Sequence, residues 1–235
     1  VTPRCPIARS CGGCQLQAMS YEAELRFKED KIRNNLIRIG GFAPELVDAA
    51  KEDIAGCGNP FRYRNKAQYP IGRDKNGKII AGFYAGRTHD IIPAKDCLLG
   101  REHNREILKA VISYMEEYHV DPYDEETGKG LIRHVLIREG FTSGEIMVCL
   151  VVNAKKLPEE DKLVQGILSC LNENGSPDKG NEKKQAGVKS ICLNTNVLKN
   201  NVIMGDKTRV LYGSDTIEDT LCGLTFKISP LSFYQ

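Results

Sequence analysis

The spacing of apolar positions divides the chain into helical and extended stretches. Leu25, Ile32, Leu36 and Ile39 recur at helical spacing after Ser20, whose hydroxyl suits an N-cap, and Gly40-Gly41 supplies a stop. Leu108, Val111, Ile112 and Met115 form a second stripe, which predicts a helix over 101–119. Pro158 opens a third helix that runs to Leu171. Short alternating or continuous apolar runs predict strands over 61–71, 79–85, 131–139 and 145–153, with three more near 189–194, 208–212 and 224–228. Asp74-Lys75-Asn76-Gly77 reads as a tight hairpin turn, because Asn-Gly tolerates the positive backbone angles such a turn needs. Gly140 to Gly144 reads as a second turn. Asn172 to Gly187 is polar and nearly free of apolar residues, which predicts a flexible surface loop. On the first strand Tyr63 alternates with Arg62 and Arg64, so its ring is expected to face the core. Hairpins interspersed with single helices imply an α+β fold: a central domain with an antiparallel sheet and packed helices, preceded by a Cys-rich loop at 3–17. A Gly-rich strand–turn–helix of the dinucleotide-binding kind is absent, so no complete nucleotide site is expected.

Composition narrows the class. Hydrophobic residues make up 41% and charged residues 27% of 235, which is ordinary for a soluble globular protein. The longest apolar run, Ile146 to Val152, has seven residues, whereas a membrane helix needs about 20. Residues 1–20 mix cysteines, charges and glycines where a signal peptide would be apolar. No membrane partner and a cytoplasmic location are therefore expected. The net charge of +2 is uninformative, but its distribution is not. Phe61 to His89 holds seven basic residues (Arg62, Arg64, Lys66, Arg73, Lys75, Lys78 and Arg87) against Asp74 alone. Met115 to Glu126 holds six acids and no Lys or Arg. The first segment could attract phosphate and the second would repel it; two solvated surfaces are the plainer reading.

Nine cysteines are many for a chain without secretion signals, and an odd number argues against a closed disulfide framework. In a reducing compartment clustered cysteines more often hold a metal. Cys5, Cys11 and Cys14 have the spacing C-x5-C-x2-C, in which Gly12 and Gly13 let the backbone wrap closely and aim N–H groups at sulfur. Thiolates select zinc or iron–sulfur. Spacing alone separates neither metal, and it leaves Cys57 and Cys97 as alternative fourth ligands. Cys149, Cys170 and Cys192 lie among apolar neighbours and read as small core residues.

The cysteine loop continues as Cys14-Gln15-Leu16-Gln17 and resembles that of the SAM-dependent RNA (uracil-5-)-methyltransferases, 23S rRNA type. The resemblance extends in order through Tyr63-Arg64-Asn65-Lys66-Ala67, Gly82-Phe83-Tyr84, Asp90-Ile91-Ile92, Cys97, Leu131-Ile132-Arg133-His134-Val135, and Ile228-Ser229-Pro230-Leu231-Ser232-Phe233-Tyr234-Gln235. It implies that Cys97 is the fourth ligand of a [4Fe-4S] cluster, with zinc the runner-up. It implies RNA contact, with 23S rRNA, by Arg64 and Lys66, less securely by Arg62, and base stacking by Phe233. Gln235 matches a SAM-contacting glutamine. In that family a cysteine thiolate adds to C6 of uracil, C5 takes a methyl group from S-adenosylmethionine, and a base removes the C5 proton. The nucleophile and base of that family lie beyond the segment matched by 228–235, so no catalytic residue is expected within this chain. Three parts follow: a cluster loop at 1–20, an RNA-contacting central domain at 21–225, and a lead-in to a methyltransferase domain at 226–235. The N-terminal OB-like domain and the catalytic domain of the family have no counterpart here, so an inactive fragment is expected. The alternative is a stand-alone metal-stabilised RNA-binding module.

Overall fold

The computed structural model describes residues 1–172 and 186–234. Most of the surface-loop expectation at 172–187, and Gln235, lie outside the described residues. The N-terminal arm leads into α1 (Tyr21–Arg38), whose N-cap Ser20 accepts a hydrogen bond from the Ala23 amide at 3.2 Å. Gly41, at φ +70°, follows its end. A short helix, α2 (Pro44–Ala49), follows, with Pro44 at its first turn. Neither helix contains a fully buried residue.

A seven-stranded sheet forms the body, in the order β3-β2-β1-β4-β5-β6-β7. Its strands are β1 (Lys66–Arg73), β2 (Ile79–Tyr84), β3 (Ile91–Pro93), β4 (Ile132–Glu139), β5 (Glu145–Val152), β6 (Gly187–Thr195) and β7 (Lys207–Gly213). The hairpin turn of β1 and β2 forms as expected: the Asp74 carboxylate accepts from the Asn76 and Lys78 amides, and Gly77 adopts φ +79°. One pairing departs from the antiparallel expectation. β5 and β6 run parallel, with α4 (Glu160–Asn172) lying between them in the sequence, so the sheet is mixed. A parallel neighbour requires a crossover connection, which that helix supplies.

The sheet is covered on both sides, and every residue of β4 is buried. Against one face lie α3 (His103–Glu117) and α4, where Ile107, Val111, Met115, Leu163 and Ile167 meet Tyr69, Val135, Val148 and Ile191. On the other face a two-stranded hairpin, β8 (Ile217–Leu221) and β9 (Leu224–Ile228), packs Ile217 and Ile228 on Met147. Cys149 and Cys192 are buried beside Leu136, as core residues should be. Among the described residues no helix is long and apolar enough to cross a membrane.

Candidate nucleic-acid interface and cysteine site

The cysteine loop is closed by local hydrogen bonds: the Cys5 amide donates to Gln17 Oε1 at 3.3 Å, and the Ser10 and Cys11 amides both donate to the Ile7 carbonyl. The loop docks on the end of β2, where Cys11 bridges Ala85 and the Gly12 amide donates to the Tyr84 carbonyl at 3.0 Å. A Cβ at Gly12 would stand 2.9 Å from that carbonyl oxygen, so this approach needs glycine. Two N–H donors face sulfur: the Gly13 amide lies 3.4 Å from Cys11 Sγ and Gln17 Nε2 lies 3.3 Å from Cys14 Sγ.

Cys97 follows β3, the edge strand that pairs with β2. β3 pairs with β2 through Ile92 and Phe83, and a Cβ at Gly82 would stand 1.9 Å from the Ile92 carbonyl oxygen. The chain then turns at 97–100, closed by the Gly100 amide on the Cys97 carbonyl at 3.0 Å. Burial raises the Cys14 thiol pKa; the Gln17 hydrogen bond lowers it, Cys97 and Cys11 raise it further, and Arg64 lowers it. Cys5 sits partly buried in the first turn, and Cys57 is exposed, with its Sγ 3.0 Å from the Asn59 carbonyl. Among the described residues no group of three or more His, Cys, Asp or Glu is placed to hold a single metal ion.

The basic segment is only partly strand, shorter than the expected 61–71. β1 starts at Lys66, and Arg62 adopts a left-handed backbone with φ +55°. The strand alternation therefore does not reach Tyr63, whose ring is 49% exposed rather than in the core; Tyr69 takes the buried position. Arg62 is engaged by the protein itself. Its guanidinium forms a two-pronged bond to Asp96 at 2.7 Å on each side and donates to the carbonyls of Cys97 and Gly100 at 2.9 and 3.1 Å. That fork pegs the Cys97 turn, and it leaves Arg62 poorly placed to serve RNA. The Asp96 carboxyl pKa is lowered by its bond to Arg62. Arg73 is likewise taken up, by Asp121 and the Gly77 carbonyl, so the basic and acidic segments meet there.

Arg64 and Lys66 remain. Arg64 is exposed and, among the described residues, its guanidinium has no hydrogen-bond partner. Lys66 pairs in register with Arg138 of β4, and burial, then that neighbouring guanidinium, pull its ammonium below the usual range. Three groups that the sequence pattern did not single out complete the neighbourhood. Glu139, 3% exposed, receives Arg101 at 2.9 Å and His103 at 3.1 Å. Arg101 in turn donates to the Arg62 carbonyl. Their partners are more than 30 residues away, so no local pattern marks them.

The segment 228–234 runs beside this basic edge. Ser229 and Ser232 close a turn, with the Ser232 amide donating to the Ser229 carbonyl at 3.2 Å and the Ser229 amide to Ser232 Oγ at 2.9 Å. The Tyr234 hydroxyl donates to Asp219 at 2.5 Å. Phe233, between them, is 95% exposed. The structure therefore brings Lys66, Arg138 and the backbone around Phe233 into one neighbourhood.

Over its whole length the chain is similar to proteins named as RNA methyltransferases. One is an uncharacterised RNA methyltransferase of Clostridium tetani (strain Massachusetts / E88), 41% identical over 235 residues, covering 100% of this chain and 47% of that protein. Another is an uncharacterised RNA methyltransferase of Bacillus cereus (strain ATCC 14579), 41% identical over 231 residues, covering 98% of this chain and 46% of that protein. Among solved structures the chain matches the fold of Pyrococcus abyssi tRNA (uracil-54, C5)-methyltransferase in complex with S-adenosyl-L-homocysteine. The TM-score is 0.66 at 24% identity, covering 98% of this chain and 48% of that one. The chain thus spans about half the length of the curated relatives it matches. No family profile matches the chain.

Proposed function

We propose that this chain is the cluster-bearing and RNA-contacting part of an RNA methyltransferase that methylates C5 of a uridine in 23S rRNA with S-adenosylmethionine. The observation that carries the reading is the whole-length similarity to proteins named RNA methyltransferases, supported by the exposed Arg64 and by the cysteine loop docked on Tyr84 and Ala85. Residues 1–20 form the cluster loop, 21–225 the RNA-contacting domain, and 226–235 the approach to a catalytic domain to which Gln235 contributes a SAM contact. Cys5, Cys11, Cys14 and Cys97 hold a [4Fe-4S] cluster. Its thiolates hang from separate irons and so tolerate wider spacing than a single zinc, whose sulfurs all lie about 2.3 Å from one ion. The N–H groups of Gly13 and Gln17 suit anionic sulfur. With all four ligands from protein, the cluster supplies structure: it ties the N-terminal arm to the Cys97 turn. Arg64 and Lys66 contact phosphate or base, and Phe233 stacks on a base.

Binding of single-stranded RNA across a salt series tests the RNA reading. Each of Arg64→Ala and Lys66→Ala is expected to weaken binding and to reduce the slope of log affinity against log salt by about 0.7 for each phosphate no longer neutralised. Unchanged slopes in both would remove them from the interface. Methyl transfer to uridine C5 by the longer reading frame separates an enzyme part from a stand-alone RNA-binding module.

A further inference from the structure

Among the described residues Arg138 is the largest fully buried side chain, 1% exposed, on the sheet face opposite α3 and α4. It sits two residues beyond Leu136 on β4, and so on the same face. Among the described residues its guanidinium has no carboxylate; its acceptors are three main-chain carbonyls of a single short segment. Nη1 donates to Tyr234 at 2.8 Å, and Nη2 to Pro230 at 3.2 Å and Ser232 at 2.5 Å. A buried cation held only by carbonyls is a costly choice for packing, since an apolar side chain of similar size would fill the space without desolvating a charge. What the arginine adds is direction: its planar fork fixes three carbonyls at once.

Those carbonyls bracket Phe233. Ser232 and Tyr234 are its immediate neighbours, and both are gripped. The far side is tied as well. Asp219 accepts the Tyr234 hydroxyl, and the same carboxylate accepts the amides of Phe141, Thr142 and Ser143, so the bond is anchored to the β4–β5 turn. Phe233 itself is 95% exposed. The backbone on either side of it is held by these bonds.

We propose that Arg138 is a positioning residue: with the Asp219–Tyr234 bond it fixes the backbone flanking Phe233 and presents that ring as a rigid stacking surface for an unstacked RNA base. The inference rests on the RNA-contacting reading above. Pre-set aromatic faces bind single-stranded bases without the ordering cost a loose segment would incur.

The chain contains no tryptophan, so Phe233→Trp introduces a single reporter. In that background the indole is expected to tumble with the whole protein in time-resolved anisotropy, and single-stranded oligouridylate is expected to quench it. Adding Arg138→Met should introduce a fast local rotation and raise the oligouridylate concentration for half-quenching about tenfold. The salt slope of binding should stay unchanged, because phosphate contacts do not run through Arg138. Arg138→Lys should not restore the parent values, since one ammonium lacks the fork. Should Arg138→Met fail to fold, Tyr234→Phe removes the Asp219 bond alone and is expected to give a smaller increase in local rotation. A rigid indole in the folded Arg138→Met protein, or in Tyr234→Phe where Arg138→Met does not fold, overturns the positioning role. Absence of quenching in the Phe233→Trp parent, with the fast rotation still appearing on Arg138→Met, overturns the RNA reading and the stacking surface but leaves the clamp.

Discussion

His134 and His103 lie on or against the same sheet and titrate in opposite directions. His134, within β4, is pulled down to about 4 by burial and, secondarily, by Arg133. His103, at the start of α3, is raised by its hydrogen bond to Glu139, against an opposing contribution from burial. The unfolded chain takes up the His134 proton near the ordinary value of 6.5, so stability falls as pH drops from there towards 4, by about 3 kcal/mol from this group. His103 has the other sign: its contribution is complete below 6.5 and is lost as pH rises through its elevated folded value. These two groups together place a stability maximum near pH 6.5. Urea unfolding between pH 4.5 and 8 checks it: His134→Leu should flatten the acid limb and His103→Gln the alkaline one. Neither role is written in the sequence near the residue. Glu139 is 36 positions from His103, and the desolvation of His134 comes from both covered faces of the sheet.

α1 depends on its ends more than on its packing. It contains no fully buried residue, and Ile32 and Ile39 of its apolar stripe are 61% and 82% exposed. The Ser20 cap and the first-turn acids Glu22 and Glu24 therefore matter more here than in α3, which is anchored by Ile107, Val111 and Met115. Ser20→Ala is expected to cost about 1 kcal/mol locally. Amide exchange in α1 should then speed up about fivefold, while exchange in β4 and β5 stays unchanged. Equal acceleration in the sheet would show that α1 unfolds only with the whole protein. Most elements are legible in the sequence: the capping serine, the Asn-Gly turn and the apolar stripes act within a few residues of themselves. α2 and β3 are not, because each is too short to establish a period, and β8 is hidden because its inward positions are Ile217 and the carboxylate of Asp219 rather than two apolar residues.

The arm carrying Cys5, Cys11 and Cys14 and the turn carrying Cys97 are separated by two helices and three strands in the sequence; the arm docks at the end of β2, and the turn is pegged by Arg62. The protein contacts seen there are few: the Cys11–Ala85 bridge, the Gly12 amide on Tyr84, and the Arg4 guanidinium 4.5 Å over the Phe61 ring. A cross-link through a shared cluster would close a long loop and add stability that these contacts do not supply. Cys97→Ser is accordingly expected to lose iron and sulfide in protein prepared without oxygen, and to make residues 1–20 sensitive to limited proteolysis. Iron retained at the parental ratio would exclude Cys97 as a ligand.

Caps, turn residues, periodicity and cysteine spacing are properties of a few adjacent side chains, so the order of residues alone specified most helices and strands and the three-cysteine loop. It also carried the ordered motifs by which the chain resembles RNA methyltransferases. The parallel β5–β6 pair, the exposure of Tyr63 and the separate roles of the arginines emerged only on folding. Arg62, Arg64, Arg73 and Arg138 look alike as letters, and their roles differ because their partners come from elsewhere in the chain. Asp96 and Cys97 occupy the first, Asp121 the third and the carbonyls of 230–234 the fourth, while Arg64 stays exposed. A charge is assigned to structure or to solvent by what folding brings beside it, and that is set by long-range packing rather than by local pattern.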